Sequence, residues 1–253
     1  MKLVLNESDL IKKSLNDGYI DKKPTNTIKL LIKHFYLLGM DKYQVRQSID
    51  SFLNDHLPSF NPVKWDKILD TLVIKAEKED HKLVMVEKIH ITKNELDSIH
   101  KIDNLNLEKL AFSYLVYAKI YNQINENQAN WVNAQRKDIF QDSKISTTIQ
   151  KQRLMVNDLI NLGLIESSKR RNSGNKKVLF IDEASEVEVT INDFREISLV
   201  YLKWKGEKIG TCLNESCRKL YKITGKNHRM CRECWKEHRR EQQREWDRNR
   251  RKR

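Results

Sequence analysis

The chain has 253 residues, of which 39% are hydrophobic and 33% charged, and its formal net charge is +13. This hydrophobic content excludes wholesale disorder, and the low content of turn formers, 7 Gly and 3 Pro, excludes a large all-β architecture with many tight turns. The sequence contains no apolar run of about 20 residues and no apolar stretch like that of a signal peptide at its start. We therefore expect a cytoplasmic protein with no membrane partner, associated with the nucleoid if it binds DNA.

The positive charge is concentrated at the C-terminal end of the sequence. Residues 203–253 contain 18 Lys and Arg against 7 Asp and Glu, a balance of +11, whereas the other residues are nearly neutral in sum. A localised basic segment is typical of proteins that bind a polyanion, most often nucleic acid. A solubilising tail is the alternative interpretation.

A helical N-terminal domain is predicted over residues 1–103. Apolar residues recur at helical spacing in TNTIKLLIKHFYLLG, in MDKYQVRQSIDSFLND and in NPVKWDKILDTLVIKA, and these three stripes are separated by Gly and Pro. Such stripes are most simply the faces of a hydrophobic core. Further along, VMVEKIHITKNELDSI predicts a strand followed by a helix that Thr92 and Glu95 cap.

Residues 104–195 are predicted to form a second domain of three helices and a basic β-hairpin. The helices are predicted in NLEKLAFSYLVYAKIYNQ, in WVNAQRKDIFQDSKIS and in STTIQKQRLMVNDLINLG, and the third begins at Ser and Thr caps and ends at Gly163. The hairpin is predicted in LIESSKRRNSGNKKVLFID, with Asn-Ser-Gly-Asn as its turn. This order of elements resembles the winged helix-turn-helix family.

The resemblance implies that the third helix enters the major groove of DNA and that the hairpin, or wing, contacts the backbone or the minor groove. On the third helix the side chains implied to face DNA are Thr147, Thr148, Gln150, Lys151 and Arg153. On the wing they are Lys169, Arg170, Arg171, Lys176 and Lys177. Thr, Gln and Arg can hydrogen-bond base edges, and Lys mostly contacts phosphates. A protein-interaction or dimerisation module is the alternative interpretation of the same pattern.

All four cysteines of the chain lie near its C-terminal end. Four residues separate the first two, two residues separate the last two, and 13 residues lie between the pairs; the cysteines are Cys212, Cys217, Cys231 and Cys234. Four sulfur ligands at this spacing favour one closed, tetrahedral, structural Zn²⁺ site, with an iron–sulfur cluster or a redox pair as alternatives. A site made only of thiolates leaves no open position for a substrate.

The second cysteine pair runs directly into WKEHRREQQREWDRN, a segment that contains no Gly or Pro and predicts a helix. A knuckle, a hairpin between the pairs and a helix that carries the last ligands at its start resemble the treble-clef zinc fingers. The helix and the final RNRRKR are expected to hold nucleic-acid backbone through arginines at Arg239, Arg240, Arg244 and Arg248.

Catalysis is not supported by any motif in the sequence. Some treble-clef domains are nucleases of the HNH type, but the segment between the cysteine pairs offers one His and no carboxylate. The sequence also lacks a phosphate-binding loop, a dinucleotide fingerprint, a Gly-x-Ser-x-Gly elbow and a His-Glu-x-x-His motif. We therefore expect a protein that is not an enzyme.

Together these features predict a mainly α, α+β protein with three parts: a helical N-terminal domain (1–103), a winged helix-turn-helix domain (104–195), and a four-cysteine zinc finger with a basic C-terminal helix (196–253). This plan resembles uncharacterised proteins of Gram-positive phages and mobile elements. It predicts a sequence-preferring, double-stranded DNA-binding transcriptional regulator. The alternatives are a replication-initiation accessory protein and a protein that docks on a host machine such as RNA polymerase through its zinc finger. RNA is an alternative ligand of the basic tail.

Overall fold

The computed structural model describes residues 5–78, 81–170, 174–225 and 228–251. In these ranges the chain is mainly helical and carries three small antiparallel sheets, which confirms the predicted fold class. The described residues divide into two compact units, an N-terminal unit that ends at Glu87 and a C-terminal unit that begins at Lys88. None of the helices in the described part of the chain is long and apolar enough to cross a bilayer.

The N-terminal unit is built from four helices: α1 (Glu7–Asp17), α2 (Pro24–Leu37), α3 (Lys42–His56) and α4 (Pro62–Ala76). The last three are the helices that the apolar stripes predicted. Pro24 and Pro62 lie in the first turns of α2 and α4, where a missing N–H breaks no helical hydrogen bond. The core contains residues of all four helices, namely Ile11, Ile28, Leu31, Ile32, Phe35, Val45, Ile49, Phe52, Leu53, Leu69 and Val73.

Ion pairs tie the surface of the N-terminal unit together. On α3, Arg46 donates to Asp50 at 3.0 Å and reaches Asp66 at 2.9 Å and Asp70, both on α4. The Glu7 carboxylate lies 2.7 Å from the Lys33 ammonium. In this unit these basic side chains are therefore engaged in holding helices to one another.

The C-terminal unit contains seven strands and six helices among the described residues. In chain order they are β1 (Ile89–Thr92), α5 (Lys93–His100), α6 (Leu105–Ile124), β2 (Trp131–Val132), α7 (Arg136–Asp142), α8 (Ile149–Asn161), β3 (Ile165–Ser167), β4 (Lys176–Val178), β5 (Val187–Ile191), α9 (Ile197–Trp204), β6 (Ile209–Thr211), β7 (Leu220–Lys222) and α10 (Arg232–Arg251). Helix α6 is buried along its whole middle and forms the centre of the unit.

Residues 88–103 pack in the C-terminal unit, although the sequence analysis placed the first domain boundary after residue 103. Strand β1 pairs antiparallel with β5, so that Ile89 lies opposite Ile191. On α5 the buried Glu95 carboxylate accepts hydrogen bonds from the backbone N–H groups of Thr92 at 2.9 Å and Asp182 at 3.0 Å. It also lies 2.8 Å from the ammonium of Lys119, which is buried on α6. This non-local pairing fixes the boundary at Lys88.

Elements α6 to β4 follow the order predicted for the winged domain, and we call residues 105–178 the winged segment. Strand β2 was not predicted; it pairs with β4 and forms one edge of a sheet ordered β2-β4-β3. Helix α8 begins at the predicted cap, Thr148, and ends just before Gly163, whose φ of +70° favours glycine. Residues at the tip of the hairpin, 171–173, lie outside the described residues.

The cysteine-rich end rests on α9, a helix that the sequence analysis did not predict. Leu199 and Leu202 of α9 form a small apolar cluster with Ile209 of β6, and Leu220 of β7 packs against it. On its other side α9 is fixed to α6, because the Tyr201 hydroxyl donates to a Glu108 carboxylate oxygen at 2.9 Å.

Candidate metal centre and nucleic-acid interface

The four cysteines converge on one point in the folded chain. Their Sγ atoms all lie within 4.8 Å of one another, and those of Cys217 and Cys231 are 3.8 Å apart. Four thiolates bound at about 2.3 Å to a tetrahedral zinc ion would be separated by about 3.8 Å. The cluster can therefore hold one metal ion, and its donor set fits zinc. The other two cysteines of the cluster are Cys212 and Cys234.

The first cysteine pair is held in a tight turn between β6 and β7. Asn214 builds this turn, since its side-chain oxygen accepts from the Ser216 N–H at 3.1 Å and its backbone oxygen accepts from the Cys217 N–H at 3.0 Å. The Cys212 N–H donates across the turn to the Lys219 carbonyl oxygen at 2.9 Å. The predicted hairpin lies between the two cysteine pairs, whereas the observed hairpin of β6 and β7 has the first pair in its turn.

The second cysteine pair lies at the start of α10, as predicted. Cys231 precedes the helix and Cys234 lies in its first turn. The Cys231 N–H points at the Cys212 sulfur at 3.4 Å, and the Asn214 side-chain amide donates to the Cys234 sulfur at 3.5 Å. Such donors, and the positive end of a helix, stabilise thiolates.

The cluster favours a bound cation on electrostatic grounds. Partial burial, and then the three neighbouring thiols, raise the pKa of Cys234 to about 12. Four thiols this close cannot all ionise by themselves at neutral pH, whereas a divalent cation keeps its sulfur ligands deprotonated.

Ion pairs connect the metal cluster to the winged segment. The partly exposed Lys219, which precedes β7, lies 2.8 Å from the Glu196 carboxylate, and Lys144 lies 2.6 Å from the same carboxylate. Lys144 belongs to the turn between α7 and α8. Arg195 pairs with Asp193 at 2.7 Å and also donates to the Cys217 carbonyl oxygen. The cysteine turn is thereby fixed close to the start of α8.

The start of α8 presents the polar side chains that the winged-helix resemblance implied. Gln150, Lys151 and Arg153 are exposed, whereas Thr147 is half-buried. The hydroxyl oxygen of Thr148 accepts from the Lys151 N–H at 3.3 Å, so it serves as the helix cap. Capping uses one lone pair of Thr148, and its side chain remains exposed.

A basic crevice of about 390 Å³ separates α8 from the wing. Three basic side chains line it, Arg136 from α7, Arg153 from α8 and Lys176 from β4, and the described lining contains no carboxylate. Burial, and then the charge of Arg136, lower the pKa of Lys176. The Arg136 Nε atom is buried and has no hydrogen-bond partner in the described part of the structure. The crevice is therefore a concave, positively charged surface, and none of the described residues that line it carries a carboxylate.

The other predicted wing residues that the structure describes do not line this crevice. Lys177 points to the opposite face of the hairpin and lies 3.8 Å from the Glu166 carboxylate, its cross-strand partner. Lys169 and Arg170 are exposed on the outgoing arm. Arg171 lies outside the described residues.

The arginines predicted on the C-terminal helix divide between two sides of it. Helix α10 is exposed from Trp235 to Arg250. At 3.6 residues per turn, Arg240, Arg244 and Arg248 form one stripe alongside the glutamates of the helix. Arg239 lies on another side, with its guanidinium 5.2 Å from the ring centroid of Trp235. The four arginines therefore lie on two sides of α10, and their contact with nucleic acid stays a prediction.

Sequence reasoning missed four residues of these surfaces. Arg136 and Asn157 enter the crevice only because the fold brings α7, α8 and the hairpin around it, and nothing local in the sequence signals this. Trp235 and Trp246 lie eleven residues apart on α10, a spacing of about three helical turns that could have placed them on one side.

Comparison of the chain with protein-family models, with curated proteins and with solved structures gave no match. Membership of the winged helix-turn-helix or treble-clef families therefore stays a prediction.

Proposed function

We propose that the chain is a non-enzymatic, sequence-preferring DNA-binding protein that acts as a transcriptional regulator, with one structural Zn²⁺. The observation that carries the proposal is the basic crevice between α8 and the wing. Its three cationic side chains have no carboxylate among their described neighbours in the lining, and a phosphate group is the anion that would neutralise them in a duplex complex.

In the proposed complex the exposed start of α8 enters the major groove. Gln150 and Arg153 have side chains that hydrogen-bond base edges, and Lys151 is suited to a phosphate. A strand of the duplex that leaves the groove beside α8 would place a phosphate in the crevice, against Arg136 and Lys176. Base contacts would supply sequence preference, and the crevice would fix the register of the protein on DNA.

The zinc centre supports this arrangement structurally, through contacts that connect the cysteine turn to the segment before α8. Its closed set of four thiolates binds the metal structurally, and the pairing of Lys219 with Glu196 fixes the cysteine turn near the turn that precedes α8. The arginines of α10 that alternate with glutamates contribute long-range attraction more than defined phosphate contacts.

Selection from a random duplex pool with zinc-loaded protein at near-physiological salt tests the proposal. We expect an enriched motif, and its position beside a promoter or beside a replication origin distinguishes a regulator from a replication accessory protein. The variant with Arg153→Ala and Lys176→Ala should bind the enriched motif at least about tenfold more weakly. If the wild-type protein enriches no motif, the proposal is contradicted, and the alternative that this chain docks on a host machine such as RNA polymerase is favoured.

A further inference from the structure

We propose that one side of α10 binds single-stranded nucleic acid by stacking unpaired bases on two tryptophans. The surface, which we call the Trp–Arg face, consists of Trp235, Arg239, Gln242, Trp246 and Arg250. The proposal does not rest on the proposed function, because it concerns a different ligand and a different surface.

The Trp–Arg face follows from the helical repeat. Trp235 and Trp246 are eleven residues apart, about three turns, so their side chains project in nearly the same direction roughly 16 Å apart along the axis. Arg239 and Gln242 lie one and two turns after Trp235 on the same side. The indoles are 47% and 55% exposed, a large exposure for tryptophan.

A guanidinium accompanies each indole. The Arg239 Cζ atom lies 5.2 Å from the ring centroid of Trp235, and the Arg250 Cζ atom lies 5.3 Å from that of Trp246. A cation held at the ring by a cation–π contact is available to a phosphate whose base stacks on the indole. The acidic residues of α10 project from its other sides and are Glu233, Glu237, Glu241, Glu245 and Asp247.

This combination matches a single strand better than other partners. The flat surface of a base is covered by its neighbours in a duplex and is free for stacking only when the base is unpaired. About five stacked nucleotides at about 3.4 Å each would span the two indoles. A second helix would need an apolar seam, but Trp235, Gln242 and Asn249, seven residues apart, provide none. A bilayer surface would need more apolar residues than two tryptophans.

The first test measures fluorescence anisotropy of labelled 15-nucleotide oligothymidylate and oligouridylate with the zinc-loaded full chain. Replacing Trp235 and Trp246 together by Ala should weaken binding by about tenfold per indole. The double Phe variant should retain most of the affinity, because it keeps two aromatic rings. Unchanged binding by the Ala variant, with unchanged zinc content, would overturn the proposal.

A matched pair of double variants separates stacking geometry from net charge. Arg239→Ala with Arg250→Ala removes two charges from the Trp–Arg face, and Arg244→Ala with Arg248→Ala removes two charges from another side of the same exposed helix. We expect the first pair to weaken oligonucleotide binding at least about tenfold more than the second. Equal losses in the two variants, or equal competition by polyglutamate, would show attraction by charge alone and would overturn the proposal.

The same probes keep this proposal distinguishable from the duplex-binding function. The variant with Arg153→Ala and Lys176→Ala should still bind the oligonucleotides with wild-type affinity. If that variant loses oligonucleotide binding while the tryptophan variant retains it, the single strand binds in the crevice and the Trp–Arg face does not bind it.

Discussion

The two units of the molecule use their basic residues in different ways. In the N-terminal unit, Arg46 contacts three aspartates, and the two on α4, Asp66 and Asp70, join α3 to α4. In the C-terminal unit, Arg136, Arg153 and Lys176 line one crevice whose described lining holds no carboxylate. In the first unit these basic contacts hold helices together; in the second, ion pairs such as Lys119 with Glu95 also stabilise the fold, but the crevice holds three basic side chains with no carboxylate in its described lining. The predictions below test this difference.

The largest effect is expected at the metal centre. In small zinc domains the binding of structural zinc contributes about 10–16 kcal/mol. Because the site does not exist in the unfolded chain, this binding free energy also stabilises the fold. Replacing Cys212 and Cys217 by Ser should unfold the cysteine-rich end and leave the winged segment folded. Limited proteolysis should then cut first after Lys208, Arg218 or Lys219. Early cuts within α8 would contradict the prediction, and Ser216→Ala is the control for a change in the same turn.

A smaller but still large effect is expected from the buried pair in the C-terminal unit. Lys119→Met leaves the Glu95 carboxylate buried without its cation, which should lower the free energy of unfolding by about 3–5 kcal/mol. Chemical denaturation followed by circular dichroism measures this. Adding Glu95→Gln should recover part of the loss, because no unpaired charge remains. If the double variant is less stable than Lys119→Met alone, the unpaired Glu95 charge is not the cause of the lost stability.

The elements that could be predicted are those specified by neighbouring residues. Caps and Gly163 specify α8, the proline positions specify α2 and α4, and cysteine spacing specifies the metal cluster. Strand β5 could not be predicted, because it is stabilised by pairing with β1 about a hundred residues earlier. The two-residue strand β2 likewise depends on β4.

The candidate nucleic-acid surfaces show the same limit. The polar residues at the start of α8 could be found from the helix alone. The crevice could not be found, because only the folded chain brings Arg136 of α7 and Lys176 of β4 to the same crevice. The division of the α10 arginines between two sides follows from helical periodicity and was available in the sequence.

A moderate effect on binding, and none on stability, is expected in the crevice. Arg153→Ala should weaken binding to the selected duplex by about 1–3 kcal/mol, because a charged contact to a base or a phosphate is lost. Thermal unfolding should be unchanged, since the Arg153 side chain is exposed. Lys137→Ala on the exposed side of α7 is the matched control. Equal losses of affinity in both variants would mean that the crevice has no special role.

The smallest effect is expected in the N-terminal unit. Arg46→Ala should lower the free energy of unfolding of that unit by about 1 kcal/mol, because the aspartates it contacts are themselves largely exposed. Duplex affinity should not change. Urea denaturation and duplex anisotropy measured on the same preparation check both statements, and lost affinity without lost stability would refute them.

The measurement that tests the central claim most directly is the salt dependence of duplex binding. It compares the wild-type protein with two variants: the crevice variant, in which Arg153→Ala and Lys176→Ala are combined, and the single variant Arg46→Ala. Each phosphate contact contributes about −0.9 to the slope of log affinity against log salt concentration. We predict a slope shallower by about one to two for the crevice variant and an unchanged slope for Arg46→Ala. A crevice variant with the wild-type slope and affinity would contradict the account.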